Sequence, residues 1–133
     1  GMVEVMGRLK EKGYVLALAS SKPENLCRSI CARFGFAPFL SALVGSPPDG
    51  DWAKEDVIRE AMSQLGLTEA DAPRVLMVGD RKFDVLGAKA CGLDCAGVEF
   101  FGYAAPGELQ EAGASAVVST AEELESFILS HGS

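Results

Sequence analysis

The chain has 133 residues, 48% of them hydrophobic and 23% charged, with 15 glycines and 6 prolines. That length suits one domain with a single core, and the composition excludes disorder, collagen and coiled coil. A net charge of −7 argues against a nucleic-acid partner, which needs clustered Lys and Arg, and no apolar run nears the roughly 20 residues of a membrane span.

The opening Gly1-Met2-Val3-Glu4 reads as a natural start preceded by one glycine from tag cleavage, so the domain is taken as residues 2–133. No basic segment leads into an apolar stretch, so no secretory signal is expected and the cytoplasm is the expected location. The cysteines, Cys27, Cys31, Cys91 and Cys95, fall as two C-x3-C pairs and lack the further ligands of a thiolate zinc site. They read as reduced, mostly buried structural thiols. The single histidine, His131, is expected in a frayed tail.

Residues 3–12 place Val3, Met6 and Leu9 at helical spacing, and Gly13 follows as a stop. Residues 14–19 form a continuous apolar run, as in a strand covered on both faces. Ser20-Ser21-Lys22-Pro23 breaks it, and Pro23 suits the first turn of a helix that runs to Phe34 before Gly35. A short strand is predicted at 42–45, a turn-rich loop at 46–51, and an amphipathic helix from Trp52 or Ala53 to Leu65, closed by Gly66. Residues 74–78 are the third strand, buried by the same argument, with Gly79-Asp80 at its carboxyl end.

A helix at 83–91 stops at Gly92 and precedes a strand at 95–99. A short helix at 107–112, a strand at 116–118 and a helix at 120–129 complete the chain. Thr120 with Glu123 matches a capping box, and Ser119 is an equally acceptable N-cap. Strands alternate with helices throughout. The expected fold is α/β, a Rossmann-like three-layer α/β/α arrangement around one mostly parallel sheet of about five strands.

In open parallel sheets, ligands bind beyond the carboxyl ends of the strands. Three sets of polar groups fall there: Ser20, Ser21 and Lys22 after the first strand; Lys54 at the start of the helix after the second; Asp80 and Asp84 after the third. A hydroxyl, nearby amides and a lysine suit a phosphate oxygen. Two carboxylates at i, i+4 in a strand-to-helix turn suit Mg²⁺. A structural role competes at each. Ser20 or Ser21 can N-cap the following helix, Lys54 can be a solvated lysine, Asp80 can cap the helix at 83, and Asp84 can favour its positive end.

The order of these elements resembles the haloacid dehalogenase superfamily of phosphotransferases, most closely its phosphoglycolate-phosphatase-like branch. The resemblance runs from about Val3 to Leu129. Leu16-Ala-Leu-Ala-Ser20-Ser-Lys-Pro23 is similar to the second motif, in which the position of Ser20 holds the substrate phosphate. Gly45-Ser-Pro-Pro-Asp-Gly50, followed by Lys54-Glu-Asp-Val-Ile58, is similar to the third, whose lysine falls on Lys54. Val78-Gly-Asp80-Arg-Lys-Phe-Asp84 matches the acidic fourth motif, and Gly97-Val98 through Glu108-Leu-Gln-Glu-Ala-Gly113 is similar to the family's end.

The resemblance implies phosphate binding by Ser20, Ser21, Lys22 and Lys54, with Lys54 as charge stabiliser and Asp80 and Asp84 toward Mg²⁺. It also exposes an absence. The family's first motif, D-x-D-x-T at a strand end, carries the aspartate that attacks phosphorus and the aspartate that acts as acid and base. Asp49, Asp51, Asp56, Asp71 and Asp94 form no such pair at a strand end. The expectation is a chain that starts after the family's cap insertion, a truncated or split hydrolase with little turnover alone.

The absent strand lies, in the family, between the strands at 14–19 and 74–78. Direct pairing of those two is expected, with a complementing chain or self-association as the alternative. The expected ligand is a small phosphorylated metabolite. The competing reading is a non-catalytic module that binds a phosphometabolite or a protein. A nicotinamide-binding domain is disfavoured because no G-x-G-x-x-G follows a predicted strand, and a receiver domain because no acidic pair follows the first strand.

Overall fold

The computed structural model describes residues 1–48, 50, 52–100 and 102–131, which belong to two compact units, Gly1–Leu67 and Thr68–Ser133. Asp49 and Asp51, part of the loop expected at 46–51, lie outside the described residues. In the first unit, α1 (Met2–Glu11) leads into β1 (Leu16–Pro23), α2 (Glu24–Phe34), a 3₁₀ turn (Ala37–Phe39), β2 (Leu40–Ser46) and α3 (Lys54–Gln64). β1 and β2 run parallel, with Leu16 opposite Leu40, Leu18 opposite Leu43 and Ala19 opposite Val44. Helices α2 and α3 pack on this ribbon. Val44 of β2 meets Val57 and Ala61 of α3, all three buried, with Ala19 of β1 packed against them. That cluster fixes the first turn of α3 against the sheet. On α1, Val5 and Leu9 form the buried stripe at i, i+4.

The second unit opens with a 3₁₀ segment (Glu69–Arg74), then β3 (Leu76–Gly79), α4 (Lys82–Ala90), β4 (Asp94–Val98), α5 (Glu108–Ala112), β5 (Ala116–Val118) and α6 (Ala121–Ser130). The three strands are parallel in the order β3-β4-β5. The central strand is the most covered, with Cys95, Ala96, Gly97 and Val98 all buried. Helix α6 has a side-chain N-cap rather than the full capping box: Thr120 Oγ1 accepts from the Glu123 amide at 3.1 Å, while Glu123 accepts from the amide of Ser119, one residue before the cap, at 2.7 Å. Thr120 is therefore the N-cap.

The α/β architecture and its parallel strands stand as expected. Within the two units the described strands pair in parallel as β1-β2 and as β3-β4-β5. Each strand pairs with the neighbour its own crossover helix delivers, the usual outcome of βαβ connectivity. β1 and β3 are less buried than the fully covered strands expected of them. Ala17 is exposed and Leu76, Met77 and Val78 are half-buried. His131 is also not frayed. It closes α6 with its ring beside Phe127, and its Nε2 lies 3.0 Å from Asp94 Oδ2 at the start of β4. Among the described residues, no helix is long and apolar enough to cross a membrane.

Candidate functional site

At the carboxyl end of β1 the ladder changes register. Ala19 pairs with Val44 and Pro23 with Ser46, so four steps along β1 match two along β2. The surplus lifts Ser20, Ser21 and Lys22 out of the pairing as a bulge, the device that re-aims side chains at sites. Within it, the Lys22 amide donates to Ser20 Oγ at 3.2 Å. Ser20 is half-buried, whereas Ser21 and Lys22 are exposed.

Gly45 of β2 makes this possible. A Cβ there would stand 2.5 Å from Glu24 Cα, 2.7 Å from Glu24 N and 2.8 Å from Lys22 O. These are backbone atoms that cannot swing aside, so only glycine admits the bulge and the first turn of α2 against β2. Cys27 Sγ donates to the same Lys22 carbonyl at 3.6 Å.

Lys54 reaches this bulge. It is the first residue of α3, and its Nζ donates to the Ala19 carbonyl at 2.8 Å. Ala19 is the residue immediately before Ser20. The helix is set in this position by the Val44–Val57–Ala61 cluster and by Asp56, whose Oδ2 accepts from the Ala53 amide at 2.9 Å. The structure therefore brings Ser20, Ser21, Lys22 and Lys54 to one strand end, with the Lys54 ammonium on the carbonyl of the residue before Ser20. That arrangement suits an anionic oxygen.

Asp80 and Asp84 occupy the corresponding turn in the second unit, after β3. Asp84 is buried, and its Oδ2 accepts from the Asp80 amide at 3.0 Å and the Arg81 amide at 3.2 Å. It thus folds back over the start of α4 as a cap, the role the sequence offers to Asp80, with Asp84 expected only to favour the helix's positive end. Gly79 allows the approach: a Cβ there would collide with the Asp84 side chain, 2.7 Å from Oδ2. Asp80 itself is half-buried at the strand end.

Mg²⁺, which the family resemblance implies, takes several oxygen donors in near-octahedral array. Among the described residues, no three His, Cys, Asp or Glu side chains gather to hold a metal, and one oxygen of Asp84 is engaged by two amides. Asp80 and Asp84 do not by themselves make up such a site, and no reaction step follows from a metal here.

Sequence reading misses Glu108. This first residue of α5 has a side chain only 12% exposed. Its Oε2 accepts from Arg81 Nε at 2.8 Å and from the Lys82 amide at 2.8 Å, and its Oε1 from the Ala105 amide at 3.3 Å. The Arg81 hydrogen bond first, and the Lys82 amide second, hold its carboxyl down at about 2. An acidic residue opening a helix is a visible local signal; its bond to a turn 26 residues away is not. Cys27, Cys31 and Cys95 are buried and Cys91 is half-buried, all four as free thiols. Burial pushes the Cys31 thiol up, with Cys27 adding to the effect.

Residues 1–98 match the model of the haloacid dehalogenase-like hydrolases. A 5'-nucleotidase of Pseudomonas aeruginosa is 37% identical over 111 residues, covering 83% of this chain and 48% of that protein. A plasmid phosphoglycolate phosphatase of Cupriavidus necator is 30% identical over 129 residues, 96% of this chain and 54% of that protein. The crystal structure of a predicted phosphatase from Clostridium acetobutylicum matches with a TM-score of 0.88 and 38% identity, over 97% of this chain and 58% of that one. The chain spans about half the length of the curated relatives it matches. With residues 1–98 of 133 under the family's model, the chain belongs to the haloacid dehalogenase-like hydrolase family.

Proposed function

We propose that this chain is the phosphate-gripping part of a phosphatase for small phosphorylated metabolites, with the attacking aspartate not among its 133 residues. The observation that carries the reading is the 2.8 Å bond from Lys54 Nζ to the Ala19 carbonyl. It draws a cation from 35 residues away to the strand end that carries Ser20. The ammonium and the Ser20 hydroxyl then stabilise phosphoryl oxygens, and the exposed Ser21 and Lys22 lie within reach of the same anion. In this reading none of these groups attacks phosphorus: among the described residues, Ser20 Oγ accepts from the Lys22 amide, a donor and not a base. Binding without turnover is the chemistry these residues support. The family's phosphatases and the nucleotidase relative support phosphate esters as the ligand class, and buried free thiols support a reducing cytoplasm.

The test is phosphate release from an aryl phosphate with Mg²⁺ present, using the chain alone and the chain extended by a D-x-D-x-T strand. Release only from the extended form supports a split or truncated hydrolase. Release by the chain alone, abolished by Asp80→Ala, contradicts the assignment of the nucleophile. No release from either, with phosphate-dependent stabilisation lost in Lys54→Ala, replaces the hydrolase with a binding module.

A further inference from the structure

A strand-to-helix turn with successive N–H groups pointing outward is a ready anion cradle. The turn after β3 has that form, yet its three amides are all engaged from within the protein. Asp80 N and Arg81 N donate to Asp84, and Lys82 N donates to Glu108. Two carboxylates occupy the space an incoming phosphate would need. Asp84 belongs to α4 itself, but Glu108 comes from another helix and is fixed from several sides. The Ala105 amide closes on it, and the next residue, Leu109, is 1% exposed. Leu109 seats on β4 where Gly97 leaves room: a Cβ on Gly97 would touch Leu109 Cδ1 at 3.0 Å. Arg81 is likewise held, its guanidinium bonded to Glu108 and its Cζ 5.4 Å from the Phe83 ring centroid.

We propose that Glu108 is a positioning residue: it locks the turn at 80–82 so that its amides refuse anions. Glu108 acts through Arg81 and Lys82. The proposal extends the phosphatase reading by assigning the second strand end to something other than phosphate, but its geometry stands without that reading.

The test follows the amides of residues 20–22 and 80–82 by NMR in the 133-residue chain. In the wild type the Lys82 amide is protected from exchange, and inorganic phosphate leaves residues 81 and 82 unshifted. Glu108→Ala is expected to speed exchange at Lys82 by roughly tenfold or more, the loss of one charge-assisted bond. It is also expected to give phosphate-dependent shifts at residues 81 and 82. Glu108→Gln keeps an oxygen for the Lys82 amide, so exchange there returns toward wild type. A general loss of packing would not show this rescue. Wild-type shifts at 81 and 82 on adding phosphate, or unchanged exchange in Glu108→Ala, overturn the proposal. Absence of phosphate shifts at 20–22 overturns the phosphatase reading while leaving the Glu108 result intact.

Discussion

Lys54 Nζ bonds the Ala19 carbonyl at 2.8 Å, so the first residue of α3 stands at the peptide group that leads into Ser20. The bond is partly buried, and hydrogen bonds from charged donors of this kind contribute about 1.5–3 kcal/mol. Lys54→Ala is therefore expected to lower stability by about 1–2 kcal/mol, since water replaces part of the bond. It should also remove the rise in melting temperature that phosphate is expected to produce in the wild type. Thermal unfolding with and without phosphate measures both effects in one series.

Gly45 and Val57 separate the site from the core beneath it. Gly45→Ala would drive a Cβ into Glu24 and Lys22 backbone atoms at 2.5–2.8 Å, so the bulge must move. The expected outcome is a loss of about 1–3 kcal/mol together with phosphate binding. Val57 is fully buried in the apolar cluster with Val44 and Ala61. Val57→Ala should cost about 2 kcal/mol and leave phosphate affinity within about twofold. Urea denaturation paired with phosphate titration distinguishes the two.

The buried Asp84 carboxylate caps α4, and its removal leaves the Asp80 and Arg81 amides without that acceptor. Asp84→Ala is expected to destabilise by about 1–2 kcal/mol and Asp84→Asn by less, because an amide oxygen can still accept. Gly79→Ala should match or exceed Asp84→Ala, since its Cβ occupies the space of that side chain. Urea midpoints for the three variants give the order.

Glu108 links stability to pH. Its carboxyl sits at about 2 in the folded chain against an ordinary 4.5, held down first by the Arg81 hydrogen bond. A depressed carboxyl stabilises the fold above the unfolded value, and the contribution disappears as pH falls from about 4.5 toward 2. The gap in urea midpoint between wild type and Glu108→Gln should therefore be constant from pH 7 to about 5 and close between pH 4.5 and 2. A gap that widens with acid would contradict the assignment.

The sequence discloses the order of strands and helices because each element carries a local signal. Apolar runs mark β1 and β3, and Gly13, Gly35, Gly66 and Gly92 stop helices with positive φ. The grouping of Ser20 and Lys54 was legible for the same reason, since strand ends in parallel sheets are where ligands bind. What escapes the sequence is pairing across distance. The bulge at residues 20–22 depends on the register of β2, and β1 runs on to Pro23 because Ser46 receives it. Glu108 binds a turn 26 and 27 residues earlier, and His131 reaches Asp94 across 37 residues. No local periodicity records such contacts.

The most direct measurement is a titration of the 133-residue chain with inorganic phosphate, read amide by amide. The account predicts saturable shifts at Ser20, Ser21 and Lys22 that vanish in Lys54→Ala. Shifts that survive the loss of Lys54, or that never appear at the end of β1, would contradict it.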